Sequence, residues 1–185
     1  VDFNEDGCTN LLDFSLLAMN FGKTGDIVVQ NSGSGQSGAT GQGRSADRMD
    51  LPSRTARLSI VPDAPFAWVG QTIEATIAVE ANEQPIDGAA AYIRFDPDVL
   101  QVESITPGET LGTVIQSEFD NTAGWARYAA GLLGGQTSGR FALAHITFRV
   151  VGEATDTAIR LTATDSHKTD VSSMGWSVLA QAQDG

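Results

Sequence analysis

The 185-residue chain has a single cysteine, Cys8, so no disulfide forms within it and its core must hold by packing. Basic residues are scarce: 11 Lys and Arg stand against 23 Asp and Glu, a formal net charge of −12. That balance lacks the basic footprint that nucleic acid requires, and it disfavours an anionic membrane surface. No apolar run approaches the roughly 20 residues that span a bilayer, so membrane insertion is not expected. Histidine is nearly absent. His145 lies in the strand-like FALAHITF and reads as a packed residue, and His167 lies in the polar turn TDSHKTD. No serine sits in a nucleophile-elbow context, and the glycine-rich stretch precedes no helix, which excludes a phosphate-cradling loop. Asp96 and Asp98 fit a turn better than acid–base work. The chain therefore reads as noncatalytic.

What is present is concentrated at the start. In DFNEDGCTNLLD, oxygen-bearing side chains recur around one glycine at the spacing of a twelve-residue calcium loop. Asp2, Asn4 and Asp6 occupy positions 1, 3 and 5. Gly7 occupies position 6, where the backbone turns sharply. Cys8 stands at position 7, which contributes only its carbonyl oxygen. Asn10 falls at position 9 and Asp13 closes the loop at position 12, where an EF-hand carries Glu. The expected cofactor is Ca2+. A loop with few, partly neutral ligands has modest affinity, which suits the calcium-rich extracellular space and points to a secreted or cell-surface protein. Because the chain opens almost on the first ligand, it is expected to be part of something longer.

Residues 14–21, FSLLAMNF, read as a helix with two apolar stripes, Leu12/Leu16/Met19 and Phe14/Leu17/Phe21. Gly22 falls at the expected C-cap and Lys23 near the negative end of the dipole. A unit of this size cannot bury two stripes alone, so it must lean on another surface. Residues 31–43, NSGSGQSGATGQG, are small, polar and aperiodic, and the polar character continues to Arg54. This predicts a flexible linker over 27–54, between a loop–helix unit at 1–26 and a third region at 55–185. Such a linker spans roughly 25–30 Å.

From Thr55 the period changes to two. Nine strand-like runs separated by Gly, Pro and Asn turns predict a mainly β fold, a nine-stranded antiparallel jelly-roll sandwich. Its core would come from Leu58, Ile60, Ile73, Ala75, Ile77, Val79, Ile93, Phe95, Val99, Leu100, Val102, Phe141, Leu143, Ile146, Phe148, Val150, Ile159 and Leu161. In AAAYIRFD, Ala89, Ala91, Ile93 and Phe95 point inward, which turns Gly88, Ala90, Tyr92 and Arg94 outward. The WARYAAGLL strand adds Ala129, Gly131 and Leu133. A sheet that shows glycine and alanine instead of Lys and Glu offers a flat contact surface.

The segment DFNEDGCTNLLDFSLLAMNFGKTGD resembles one repeat of a dockerin, in which a D-x-N-x-D-G-x-x-N-x-x-D loop leads into a helix. The region carrying GQTIEATIAVE, GAAAYIRFDPDVLQVESITPG and GRFALAHITFRVVG resembles a cohesin, with Phe95, Asp96 and Pro97 in the family's strand-to-turn motif. Together the two resemblances imply a scaffoldin-like protein of cellulosome type, with calcium-dependent, noncovalent docking of dockerin onto one cohesin face. They imply contacts through Leu11, Leu12, Leu16, Ala18 and Met19 on the helix, with Lys23 beside them, and through Gly88, Ala90, Tyr92, Arg94, Ala129 and Gly131 on the sheet. Two departures stand out. Only one repeat is present where dockerins carry two, and Leu11 and Leu12 occupy positions that often carry hydroxyls.

The partner would be a cohesin or dockerin module of the same chain, of a second copy or of another protein. The alternative is a carbohydrate-binding or cell-wall module with a calcium-stabilised appendage, in which Trp68, Trp125 and Trp176 would stack on a polysaccharide.

Overall fold

The computed structural model describes residues 2, 3, 7–21, 54–162 and 168–185. The expected linker over 27–54 lies outside them except for Arg54, as do Gly22, Lys23 and His167.

Among the described residues, eleven strands follow one helix. Five of them form one sheet: β1 (Ala56–Pro62), β2 (Thr72–Ile86), β4 (Leu100–Pro107), β7 (Thr137–Val150) and β11 (Leu179–Gln183), in the order β11-β1-β2-β7-β4. The second sheet has the order β10-β9-β3-β6-β5. Its strands are β3 (Gly88–Arg94), β5 (Thr113–Asp120), β6 (Trp125–Gly131), β9 (Asp170–Ser173) and β10 (Trp176–Ser177). The short β8 (Arg160–Leu161) pairs with the far end of β3, through Ile93 and Arg94.

Period-two alternation explains the packing. Along β2, Ala75, Ile77, Val79 and Ala81 are buried while Glu74, Thr76 and Glu80 face away. Across the sandwich, β3 contributes Ala89, Ala91 and Ile93, and β6 contributes Ala126, Tyr128 and Ala130. Phe95 and Phe148 meet edge to face with ring centroids 5.4 Å apart. The expected core residues are buried, except that Ile73, Phe141 and Leu161 pack at its margin. The Asp96 side chain accepts from the Asp98 N–H at 3.0 Å, so this pair is a turn element.

The expectation of nine antiparallel strands needs two corrections. The extra strands are β9 and β10, a hairpin closed by Met174 and Gly175, both at positive φ (51° and 80°), as a two-residue primed turn requires. Their residues, DVSS and WS, carry no apolar alternation. In addition, β1 pairs with β11 in parallel, bringing the last strand alongside the first. Asn82, at φ 52°, marks an irregularity that lets β2 run on to Ile86.

Replacing Phe148 by Ala would remove a fully buried ring from between the sheets. Urea denaturation should show a loss of about 3–5 kcal/mol.

Candidate docking face and loop–helix

The helix α1 spans Leu11–Asn20, starting three residues before the expected 14–21. Asn10 is its N-cap. The Asn10 Oδ1 accepts from the Leu12 N–H at 2.8 Å, and the Asp13 Oδ2 accepts from the Asn10 N–H at 2.8 Å. This capping box satisfies orphan donors and sets a carboxylate against the positive end of the helix. The helix closes at Phe21, one residue before the expected Gly22.

The buried residues of α1 are Leu11, Asp13, Ser15 and Ala18. The face turned to the protein is thus a third stripe, Leu11/Phe14/Ser15/Ala18, and neither of the two expected ones. Leu17 and Phe21 are exposed, and Leu12, Leu16 and Met19 are half-buried. A helix of this length is marginal in water, so the surface beneath it supplies its stability.

That surface is the outer face of the second sheet. Gly88, Ala90, Ala129 and Gly131 are all buried there although they turn away from the sandwich core. Leu11 clusters with Ala90 and Ala129, and Tyr92 packs beside them. The absence of side chains is what admits the helix. A Cβ on Gly88 would lie 2.8 Å from Leu11 Cδ1, and one on Gly131 would lie 2.2 Å from Phe14 Cε1. One on Gly175 would lie 2.6 Å from Leu16 Cδ2. The full burial of Leu11 is worth about 1.5–3 kcal/mol.

Polar contacts lock the same interface. Ser15 Oγ donates to Asp87 Oδ1 at 2.8 Å and accepts from the Gly175 N–H at 2.6 Å. Asp87 also accepts from Ser172 Oγ at 2.8 Å and from the Met174 N–H at 2.6 Å. Ser15, Asp87 and Ser172 carry no docking signal of their own in the sequence, and Phe14, expected only in an apolar stripe, and Gly175 join them at the interface. The one local signal was Asp87 beside Gly88, at the start of the outward-facing run.

Beyond α1 the face continues through Tyr92, Arg94, Trp125 and Arg127. The Tyr92 hydroxyl donates to Gln116 Oε1 at 3.2 Å. Burial pushes its pKa above 10.0, against a smaller lowering by Arg127, with Glu118 adding to the rise. Arg94 is exposed and donates to the Ala123 carbonyl at 3.0 Å. The expected docking residues Tyr92 and Arg94 thus lie on this face, Tyr92 at the edge of the Leu11 cluster and Arg94 at the opposite end of β3 from Gly88.

Of the expected calcium ligands, Asn4 and Asp6 lie outside the described residues. Among the described residues no group of three or more His, Cys, Asp or Glu is assembled for a metal. The remaining ligand positions nevertheless fit a hard cation. Gly7 holds φ 87° and its N–H donates to Asp2 Oδ2 at 2.9 Å. Asp2 Oδ1 is buried with no hydrogen-bond partner, a cost that a cation would relieve. The Asp13 carboxyl is buried and accepts from the Phe3 N–H as well as from Asn10, closing the loop across ten residues. Cys8 is half-buried beside them.

The three tryptophans form no row. Trp125 and Trp176 lie toward opposite ends of the second sheet, and the Arg127 guanidinium covers the Trp125 ring at 4.1 Å. Trp68 lies in the segment between β1 and β2, beside Phe66 and Val69. His145 packs on β7, with Nδ1 3.2 Å from both Thr76 Oγ1 and Glu74 Oε1. No described helix is long and apolar enough to cross a membrane.

Two sheets around one core, with a smooth outer face of small residues, define a β-sandwich with a flat lateral surface. The family model of the cohesin domain matches residues 59–175, more than half of the chain, and the chain belongs to that family. Residues 2–21 lie outside the match. Among solved structures, a type II cohesin domain from the cellulosome of Acetivibrio cellulolyticus is similar with a TM-score of 0.59 at 18% identity. It covers 70% of this chain and 93% of its own. A type II cohesin–X-dockerin complex from the same organism gives 0.58 at 17%, with 70% and 98% covered. A non-cellulosomal cohesin from the hyperthermophilic archaeon Archaeoglobus fulgidus gives 0.56 at 17%, with 70% and 87% covered. At these identities the likeness is one of fold. No curated protein gives a significant match.

Substituting Gly131 by Ala puts a methyl group where the Phe14 ring lies. Limited proteolysis should cut within α1 about tenfold faster, in line with an overpacking cost of about 1–3 kcal/mol. Gly112→Ala, whose Cβ would meet nothing within 4 Å, should leave the cleavage rate unchanged.

Proposed function

We infer that this protein is a noncatalytic docking module, in which the outer face of the second sheet receives a calcium-ordered, dockerin-like loop–helix in an extracellular scaffold. The observation that carries the reading is the position of α1. The helix that follows the calcium-type loop lies on the Gly88/Ala90/Ala129/Gly131 face of a cohesin-family sandwich, the face that the sequence resemblance implies for docking. In this chain the occupant is its own segment. A relative of the same fold is a cohesin in complex with an X-dockerin, which supports a partner of this class for the present face.

Asp2, Asn4, Asp6, the Cys8 carbonyl, Asn10 and Asp13 would hold the Ca2+ ion, Asn10 through water. Bound, the ion supplies charge neutralisation and a fixed loop. The chain's own residues do the rest. Asp2, Asp6 and Asp13 repel one another within one short loop when no cation is present. Asp13 joins the loop to the first turn of α1, so an ordered loop fixes the direction in which Leu11, Phe14 and Ser15 point. Ordering in advance lowers the entropy lost on docking. Tyr92 and Arg94 border the covered area and extend the surface offered to a partner. The sugar-binding alternative lacks support, because the tryptophans are dispersed and one ring is already covered by Arg127.

Asp2→Ala and Asp13→Ala are each expected to abolish calcium binding in titration calorimetry while circular dichroism shows the sandwich still folded. Equal loss of β-structure in these variants would contradict a separate calcium-dependent unit.

A further inference from the structure

At the centre of the interface is a carboxylate buried under the helix. Asp87 is enclosed by α1, β9 and the β9–β10 turn, and every hydrogen bond it receives from the described residues comes from a neutral donor. No Lys or Arg among the described residues pairs with it. A buried carboxylate compensated only by hydrogen bonds is sensitive to the loss of any one of them.

Two of its donors belong to the sandwich itself. Ser172 lies on β9 opposite Gly88, and the Met174 N–H is held by the left-handed turn. That turn aims two successive N–H groups, Met174 at Asp87 Oδ2 and Gly175 at Ser15 Oγ. Every group of the site other than Ser15 therefore belongs to the sandwich, with an acceptor and a donor placed to meet one hydroxyl. Ser15 fills both roles at once, donating to Asp87 and accepting from Gly175. A side chain without a hydroxyl would leave the Gly175 N–H without its acceptor and Asp87 short of a donor. Sites of this kind discriminate strongly, because rejection comes from polar groups left unmet.

We propose that Asp87, Ser172 and the Met174–Gly175 turn form a serine-reading socket, which makes this docking face select helices that carry a hydroxyl four residues after their leading Leu anchor. The segment it selects here is Leu11–Ala18 of the same chain. The inference rests on the docking reading above and adds the feature that distinguishes one helix from another. The small-residue floor at Gly88, Ala90, Ala129 and Gly131 accepts any slim apolar helix, and the socket does not.

The test is amide hydrogen exchange on the full chain in calcium, resolved for α1 and for β2 and β7. Protection of α1 amides is expected in the wild type. Ser15→Ala should lower that protection tenfold or more while β2 and β7 stay unchanged. The direction is diagnostic, because Ala raises intrinsic helix propensity over Ser. Asp87→Asn should lower α1 protection less in the Ser15→Ala background than in the wild type, since part of its contribution passes through Ser15. Leu17→Ala, on the exposed side, should change protection by less than twofold.

Unchanged α1 protection in Ser15→Ala, together with its loss in Leu11→Asp, would overturn the socket and leave a face that grips by apolar contact alone. Absence of α1 protection in the wild type would overturn the docking reading and the socket with it.

Discussion

The close approach of a helix to a bare stretch of sheet is what the rest of this structure depends on. Side chains on a β-sheet ordinarily hold a helix away from the backbone. Here the outward positions at one end of β3 and β6 are Gly88, Ala90, Ala129 and Gly131, so Leu11 and Phe14 reach the sheet itself. The consequence is that the first half of β3, Gly88 to Ala91, is buried on both faces although the strand belongs to the outer side of a two-layer fold. The same proximity brings Ser15 within hydrogen-bonding distance of Asp87 and of the turn at Gly175. Apolar fit provides area, and the hydroxyl contact fixes register. A helix shifted by one turn would keep part of the first and lose all of the second.

The loop and the face are coupled through Asp13. Its carboxyl caps α1 from within, accepting from Asn10, and also accepts from Phe3 at the start of the chain. Whatever orders that carboxyl orders the helix origin. A cation held by the loop thus acts on docking without touching the sheet. The orphaned Asp2 Oδ1 points the same way, because its burial without a partner carries a cost that a hard cation would remove.

Much of this was legible in the sequence. Alternation of apolar residues marks β2, β3 and β7 because one side of each faces a single core. The outward run Gly88, Ala90 and Tyr92 stands out for lacking charge where a solvent-facing strand would carry it. The β9–β10 hairpin was not legible. Asp170, Ser172 and Ser173 are buried polar residues with no periodic signature; Ser172 and Ser173 meet Asp87 and Gln136, distant in sequence, while Asp170 is met locally by Val171 and Ser177. The parallel pairing of β1 with β11 joins the two ends of the sandwich and has no local cue. On α1 the apolar stripes misled, since a serine lies at the middle of the buried face and Leu17 and Phe21 at the exposed one. Asp87 and Ser15 lie 72 positions apart, so their meeting belongs to the tertiary structure alone.

The central claim is that the face is occupied in cis, by the helix of the same chain, once calcium orders the loop. Light scattering combined with small-angle X-ray scattering, over a concentration series in calcium and then in chelator, addresses it most directly. The account predicts a monomer under both conditions, with a smaller radius of gyration in calcium. Mass that grows with concentration only in calcium would contradict it, because α1 would then be reaching the face of a neighbouring molecule.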